Sequence, residues 1–108
     1  MRFSELMRRA AEIREQYAEF EEAKYRRSWT SEELALGFVG DVGDLAKLIQ
    51  AMNGVRAIPN AREKLEHELA DCLWSVIVLA QAYEVDLEAA FLGTMDELEA
   101  HQIGRAHV

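Results

Sequence analysis

Pro59 is the only proline in 108 residues, and on both sides of it apolar residues recur every three or four positions. That period lays them along one side of an α-helix. Proline breaks helices by removing a backbone donor, so a chain with a single proline can sustain long ones. Four segments carry the pattern. The first covers 4–26, with Phe3, Leu6, Met7, Ala10, Ile13, Tyr17 and Phe20 in one stripe and a charged, solvated face opposite. The second opens at TSEE, where Thr30 and Glu33 have capping-box spacing. It carries Leu34, Phe38, Val42, Leu45, Ile49 and Met52, and Asn53-Gly54 stops it. The third takes Asn60 as its cap and runs to about Tyr83; beyond Asp71 it is almost wholly apolar, the mark of a buried central helix. The fourth takes Asp86 as its cap and places Leu87, Ala90, Phe91, Met95 and Leu98 along it, before a tail, IGRAHV, expected to fray. No stretch alternates with the period of a strand. Long helices on short connections imply an all-α, four-helix-bundle-like fold with antiparallel neighbours, in one domain over 1–108.

Half the residues are hydrophobic, enough for a core, but a chain this short buries a limited share of its surface alone. With the apolar third helix, that points to a homodimer or homotetramer. The net charge of −8 disfavours nucleic-acid polymers and anionic membranes, which are held by Lys and Arg. A phosphate-bearing small ligand stays compatible if a divalent cation mediates the contact. Cys72 is the only cysteine, which fits a reducing cytosol. The N-terminal stretch lacks the continuous apolar run of a signal peptide, and VIVLA is too short to span a bilayer, so a cytoplasmic location is expected.

The chemistry concentrates in carboxylates. Asp41 and Asp44 in GDVGDLAKLIQ lie about 60° apart on a helix, with Gly37 and Leu48 between them. Lys64, Glu68, Asp71 and Ser75 fill a sector of about 60° on the next helix. If the two helices are neighbours, four like charges meet in a partly buried crevice and repel. Mg²⁺, or Mn²⁺, resolves that repulsion, because hard cations take oxygen ligands. Acidic pairs at this spacing also occur on plain solvated faces, and composition alone leaves both readings open.

The segments LGFVGDVGDLAKLIQ and EKLEHELADCLWSVIVLAQAYEVDLEAAF resemble the MazG-like family of all-α nucleoside triphosphate pyrophosphohydrolases. The family hallmark is E-x-x-E on one helix and E-x-x-D on the next. VGDVGDL looks like the VGEVGEL of the small dCTP pyrophosphatase-like branch, and ELAD followed by VDLEAAF matches that branch in order and spacing. The resemblance covers about 28–98. It implies metal-dependent cleavage of a nucleotide between its α- and β-phosphates, giving a monophosphate and pyrophosphate. It also implies an oligomer. Carried over by position, Asp41, Asp44, Glu68 and Asp71 would be the Mg²⁺ ligands, with Glu68 or Asp44 as the general base.

Three departures stand out. The two glutamates of the second helix are aspartates here, each one methylene shorter. The last helix offers Thr94 and Leu98 where the family often has Lys and Asn. Ser75 stands where a tyrosine often follows the last metal-ligand Asp. Lys47, Lys64, Trp29 and Ser75 are the substrate-binding candidates: lysines for phosphate, Trp29 for stacking on a base. Each has a plainer role available, a solvated lysine or a tryptophan packed at the end of the bundle. Trp74 is expected in the core or at a subunit interface. His67, His101 and His107 show no zinc spacing and are read as non-ligands. Gly37, Gly40 and Gly43 are read as small residues that let helices approach closely.

Two functions follow from different classes. One is a Mg²⁺-dependent nucleotide pyrophosphohydrolase. The other is a catalytically weak or inactive helical oligomer that binds a nucleotide or a protein. Carboxylates that converge favour the enzyme; carboxylates splayed into solvent favour the scaffold.

Overall fold

The computed structural model describes residues 2–106, with side chains described for 2–101, so His107 lies outside the described residues. Helices α1 (Phe3–Tyr25), α2 (Ser31–Met52), α3 (Ala61–Ala82) and α4 (Leu87–Ala106) follow in order, and no strand occurs among the described residues. The all-α expectation stands.

The local signals behave as their chemistry dictates in three of four places. At the start of α2, Thr30 Oγ1 accepts from the Glu33 N–H at 3.2 Å, and Glu33 Oε1 accepts from the Thr30 N–H at 3.1 Å. Both halves of the capping box are formed. Asn53 closes α2, and Gly54 turns the chain with φ +76, a conformation glycine adopts without strain. Asp86 Oδ1 accepts from the Ala89 N–H at 3.1 Å and caps α4. Asn60 departs from expectation: it precedes α3 in a left-handed conformation, φ 55, and its side chain makes no cap bond. Its tolerance of that conformation, rather than its amide, suits it to the turn after Pro59. The tail expected to fray stays helical to Ala106.

Packing is uneven. Among the described residues α2 lies against α3, α1 packs less extensively on α3, and α4 has no comparable packing against another helix. The four-helix bundle is therefore not closed within one chain. α1 is tied to α3 by the Gln81 amide, which donates to the Met7 carbonyl at 2.7 Å, and by the Trp74 indole, which donates to the Ala10 carbonyl at 3.3 Å. The buried apolar residues are Ala10, Leu48, Ile77, Val78 and Ala80.

This core corrects three expectations. On α2 the inward line is Leu34, Phe38, Asp41, Leu45 and Leu48, while Val42, Ile49 and Met52 are exposed. Asp41 thus sits in the apolar seam itself. α3 is not buried all round: Leu69 and Leu73 are half exposed, and only its C-terminal half has buried side chains. The glycines do not bring helices together within the chain, since a Cβ at Gly37, Gly40 or Gly43 would meet nothing within 4 Å.

α1 holds a fourth surprise. Its inward line is Phe3, Met7, Ala10, Arg14 and Glu21, within about 60° on the wheel. Leu6, Tyr17 and Phe20 lie to one side and are exposed. Glu21, on the face expected to be solvated, is 3% exposed and is the buried charged residue of the chain's described part. Burial alone would raise its pKa. Hydrogen bonds from Arg14 and from the Trp29 N–H, with the nearby guanidinium charge, lower it overall.

Two stability measurements test the entry to α2. Thr30→Ala should lower unfolding free energy by about 1 kcal/mol in urea titrations. Glu33 is held at about 2 by its hydrogen bonds from Arg27 and from the Thr30 N–H. A depressed folded value stabilises the protein above the ordinary carboxylate range and stops doing so as pH falls through the folded value. The deficit of Glu33→Gln against wild type should therefore be full at neutral pH and close as pH drops from 4.5 toward about 2. A deficit independent of pH would show that the Arg27 pair contributes nothing.

Candidate metal centre

Helical spacing puts Asp41 and Asp44 one turn apart on α2 and Glu68 and Asp71 one turn apart on α3. The α2–α3 seam then decides which of them meet. Asp41, Asp44 and Glu68 each bring a carboxylate oxygen within 4.8 Å of the other two. Asp41 and Glu68 are half-buried and Asp44 is exposed. Asp71 lies outside this trio. Its Oδ2 is 3.1 Å from His67 Nε2, one turn earlier on the same helix.

Glu68 is the electrostatically costly member. Its Oε1 is shut off from solvent and has no hydrogen-bond partner. Partial burial pushes its pKa up, and Asp41, Asp71 and Asp44 push it further in the same direction. The Cys72 thiol beside them is pushed up too, first by burial and then by Asp41, Glu68 and Asp71. A carboxylate with one enclosed oxygen and no donor, beside two further carboxylates, is the signature of a group that takes a cation. The donor set is all oxygen, which suits Mg²⁺ or Mn²⁺ rather than a thiolate-seeking metal. The residues present fit the ion.

The carboxylates lie between two chemically different clefts. One, of 380 Å³, is lined by Asp44 and Glu68 with Lys47 and Lys64. Neither lysine forms an ion pair among the described residues. On the other side, a 340 Å³ cleft is lined by Asp41 with Ser75, Trp29, Phe38 and Trp74. It adjoins a third, of 470 Å³, where Asp71, Trp29 and Trp74 meet Tyr17, Arg14 and Glu21. Volumes of this order are those of small-molecule sites. Every residue singled out from sequence for binding thus lines a cleft beside the carboxylates: Lys47 and Lys64 on one flank, Trp29 and Ser75 on the other. Trp29 is partly exposed, tilted against Tyr25 at 5.4 Å with the Arg27 guanidinium 5.3 Å from its ring centre. Trp74 is half-buried and tilted against Tyr17 at 6.0 Å. His101 is exposed on α4, away from these clefts.

Arg14 and Glu21 are the cleft residues that sequence reasoning passed over. Their spacing of seven was the available signal: two turns put both on the line that carries Met7 and Ala10. Residue type concealed it, because charges on an amphipathic helix are assigned to solvent by default.

The strain at Glu68 yields a prediction of unusual sign. A carboxyl whose folded pKa is raised makes the protein less stable as pH rises above the unfolded value. Without metal, Glu68→Gln should therefore raise the melting temperature at neutral pH, and its gain over wild type should shrink on acidification. Mn²⁺ should stabilise wild type and leave Glu68→Gln nearly unmoved in the same thermal-shift assay. A melting temperature lowered by the substitution without metal would contradict the crowding of these carboxylates.

Comparison with known proteins gives the same region a lineage. Residues 29–102 match the MazG nucleotide pyrophosphohydrolase domain. The chain is 35% identical over 91 residues to dCTP pyrophosphatase 1 of Rattus norvegicus, covering 79% of this chain and 54% of that protein. It is also 35% identical to the Homo sapiens protein and 36% identical to the Bos taurus protein, over the same lengths. The chain spans about half the length of the curated relatives it matches. Both halves of the acidic constellation lie inside the matched region, and the chain therefore belongs to the MazG nucleotide pyrophosphohydrolase family.

Proposed function

We propose that this protein hydrolyses a nucleoside triphosphate to its monophosphate and pyrophosphate, using Mg²⁺ held by Asp41, Asp44 and Glu68, with Asp71 at the edge of the site. The observation that carries the reading is the position of the carboxylate trio. It lies between a cleft with two uncommitted lysines and a cleft walled by two tryptophans. A nucleotide is a molecule of that polarity, anionic at one end and aromatic at the other.

The residues divide the work by environment. Lys47 and Lys64 receive phosphate oxygens of the leaving pyrophosphate. Trp29 and Trp74 receive the base, with Ser75 beside the sugar. The bound cation would neutralise phosphate charge and make an attacking water more acidic. Glu68, with its enclosed Oε1, is the inner anchor. Asp44 is the exposed member of the trio and takes the proton from the incoming water. The water oxygen bonds to the α-phosphorus, the bond from that phosphorus to the α–β bridging oxygen breaks, and pyrophosphate departs with that oxygen. dCTP heads the list of substrates to try, because the relatives are dCTP pyrophosphatases.

We further propose that the active form is a homo-oligomer with α2 and α3 antiparallel. Leu48 on late α2 shares a cleft with Lys64 on early α3, and Leu34 on early α2 shares one with Trp74 on late α3, which supports the helix directions. The area argument supports association. The chain exposes 8408 Å², against about 6,100 Å² for a compact monomer of this mass. Its radius of gyration is 17.4 Å, against about 13 Å. Leu36 is 73% and Phe91 57% exposed. Among the described residues no helix is long and apolar enough to cross a membrane, and the free Cys72 fits a reducing cytosol.

Pyrophosphate release from a panel of nucleoside triphosphates tests the activity. Release should require Mg²⁺ or Mn²⁺ and should fall at least about a hundredfold in Asp44→Ala and in Glu68→Gln. Metal-dependent thermal stabilisation without turnover of any nucleotide would instead assign the protein to binding. Sedimentation should give a mass at least twice 12.3 kDa at micromolar concentration; a 12.3 kDa species with a closed, apolar-poor surface would overturn the association.

A further inference from the structure

The geometry points to Arg14 and Glu21 as a positioning clamp that sets the Trp29 wall of the aromatic cleft. This inference rests on the base-binding role given to Trp29 above and goes beyond it.

Trp29 lies in the segment 26–30, between α1 and α2, outside any helix. Its indole ring rests against Tyr25 and the Arg27 guanidinium, both near neighbours in the chain, but among the described residues it makes no hydrogen bond to the body of α1. Its backbone does. Glu21 Oε1 accepts from the Trp29 N–H at 2.7 Å, and Arg14 Nη2 donates to the Trp29 carbonyl at 3.4 Å. The two clamping side chains hold each other in a fork: Arg14 Nη1 to Glu21 Oε2 at 2.9 Å and Arg14 Nη2 to Glu21 Oε1 at 3.1 Å. Side-chain exposure is 16% for Arg14 and 4% for Glu21, so water competes poorly for either group. All three residues line the cleft that holds Trp74 and Asp71.

A buried ion pair is a doubtful route to stability, because apolar residues of the same volume would often serve as well. What apolar residues cannot do is bind both backbone polar groups of one residue. The pair grips the backbone N–H and carbonyl of the one loop residue whose ring faces the cleft. A planar guanidinium in bidentate contact with a carboxylate has little freedom, and that rigidity passes to the Trp29 backbone. The clamp sits on α1, which is also bonded to α3 through Gln81 and Trp74. The wall is thereby fixed relative to the carboxylates rather than carried on a free loop.

The test separates positioning from folding. Glu21→Leu removes both acceptors, and Glu21→Gln keeps an acceptor for the Trp29 N–H. In a Trp74→Phe background, used for the optical readout alone, Trp29 is the sole tryptophan. Acrylamide quenching of Trp29 should rise clearly in Glu21→Leu and less in Glu21→Gln. With the best nucleotide of the panel, Glu21→Leu should raise KM about tenfold, the share of a stacking contact, with kcat within about twofold. Added to Trp29→Ala, it should raise KM no further. Unchanged quenching, or an equal KM rise in the Trp29→Ala background, overturns the clamp. If Glu21→Leu does not fold, Glu21→Gln decides by the same quenching measurement, an unchanged value counting against the inference. Absence of turnover in wild type would sink the proposed function and leave the quenching result to decide the clamp.

Discussion

One enclosed carboxylate oxygen governs the arrangement around it. Glu68 Oε1 is without solvent and without a donor, and the Glu68 carboxylate lies with those of Asp41 and Asp44, one oxygen of each within 4.8 Å of the others. Removing a carboxylate from water is expensive, and adding two neighbours of the same sign makes it more so. A seam of Leu34, Phe38, Leu45 and Leu48 against α3 supplies the apolar contact that holds the helices together despite that repulsion. The site is thus a place where packing overrides electrostatics. A divalent cation is the partner that removes the conflict, and for that reason the pattern reads as chemistry rather than as surface charge.

The rest of the site is organised by what flanks this point. Lysines stand on one side and tryptophans on the other, so the groove has a direction that a nucleotide can match. The aromatic side depends on a segment outside any helix, between α1 and α2. Arg14 and Glu21 supply the missing restraint from α1. Loops at binding sites commonly need such support from a rigid element, because a ring displaced by an ångström no longer stacks. Below the site, α4 adds little packing, and its apolar side chains remain exposed, as do Leu36, Val39, Leu69 and Leu73. These residues obey helical periodicity without having a partner inside the chain. The same surface excess that makes the single chain an incomplete bundle makes association the natural completion of the fold.

How far the sequence could be read depended on residue type. Thr30 with Glu33, Asn53 with Gly54, and Asp86 announced their helix ends because each acts through bonds to nearby backbone. Asn60 failed as a side-chain cap, since its backbone conformation was the property in use. On α2 the apolar line predicted from Val42, Ile49 and Met52 was displaced toward Asp41 and Leu48. Periodicity gives the width of an apolar stripe but not which of its edges meets a neighbour. Arg14 and Glu21 were hidden for a related reason: opposite charges can be buried at little net cost once paired, and only contact geometry reveals the pairing.

The sequence by itself determined that this chain is helical, where α2 begins and ends and where α4 begins, and that two acidic pairs stand one turn apart on consecutive helices. Those are consequences of backbone hydrogen bonding and of a 3.6-residue period, both local. Only the tertiary structure decided that Asp41, Asp44 and Glu68 meet while Asp71 turns to His67, that Glu68 is deprived of water, and that Glu21 lies in the core clamped to Arg14 and Trp29. The physical reason is that burial and like-charge proximity arise where residues distant in the chain come together, and no local pattern fixes the angle at which one helix lies on another.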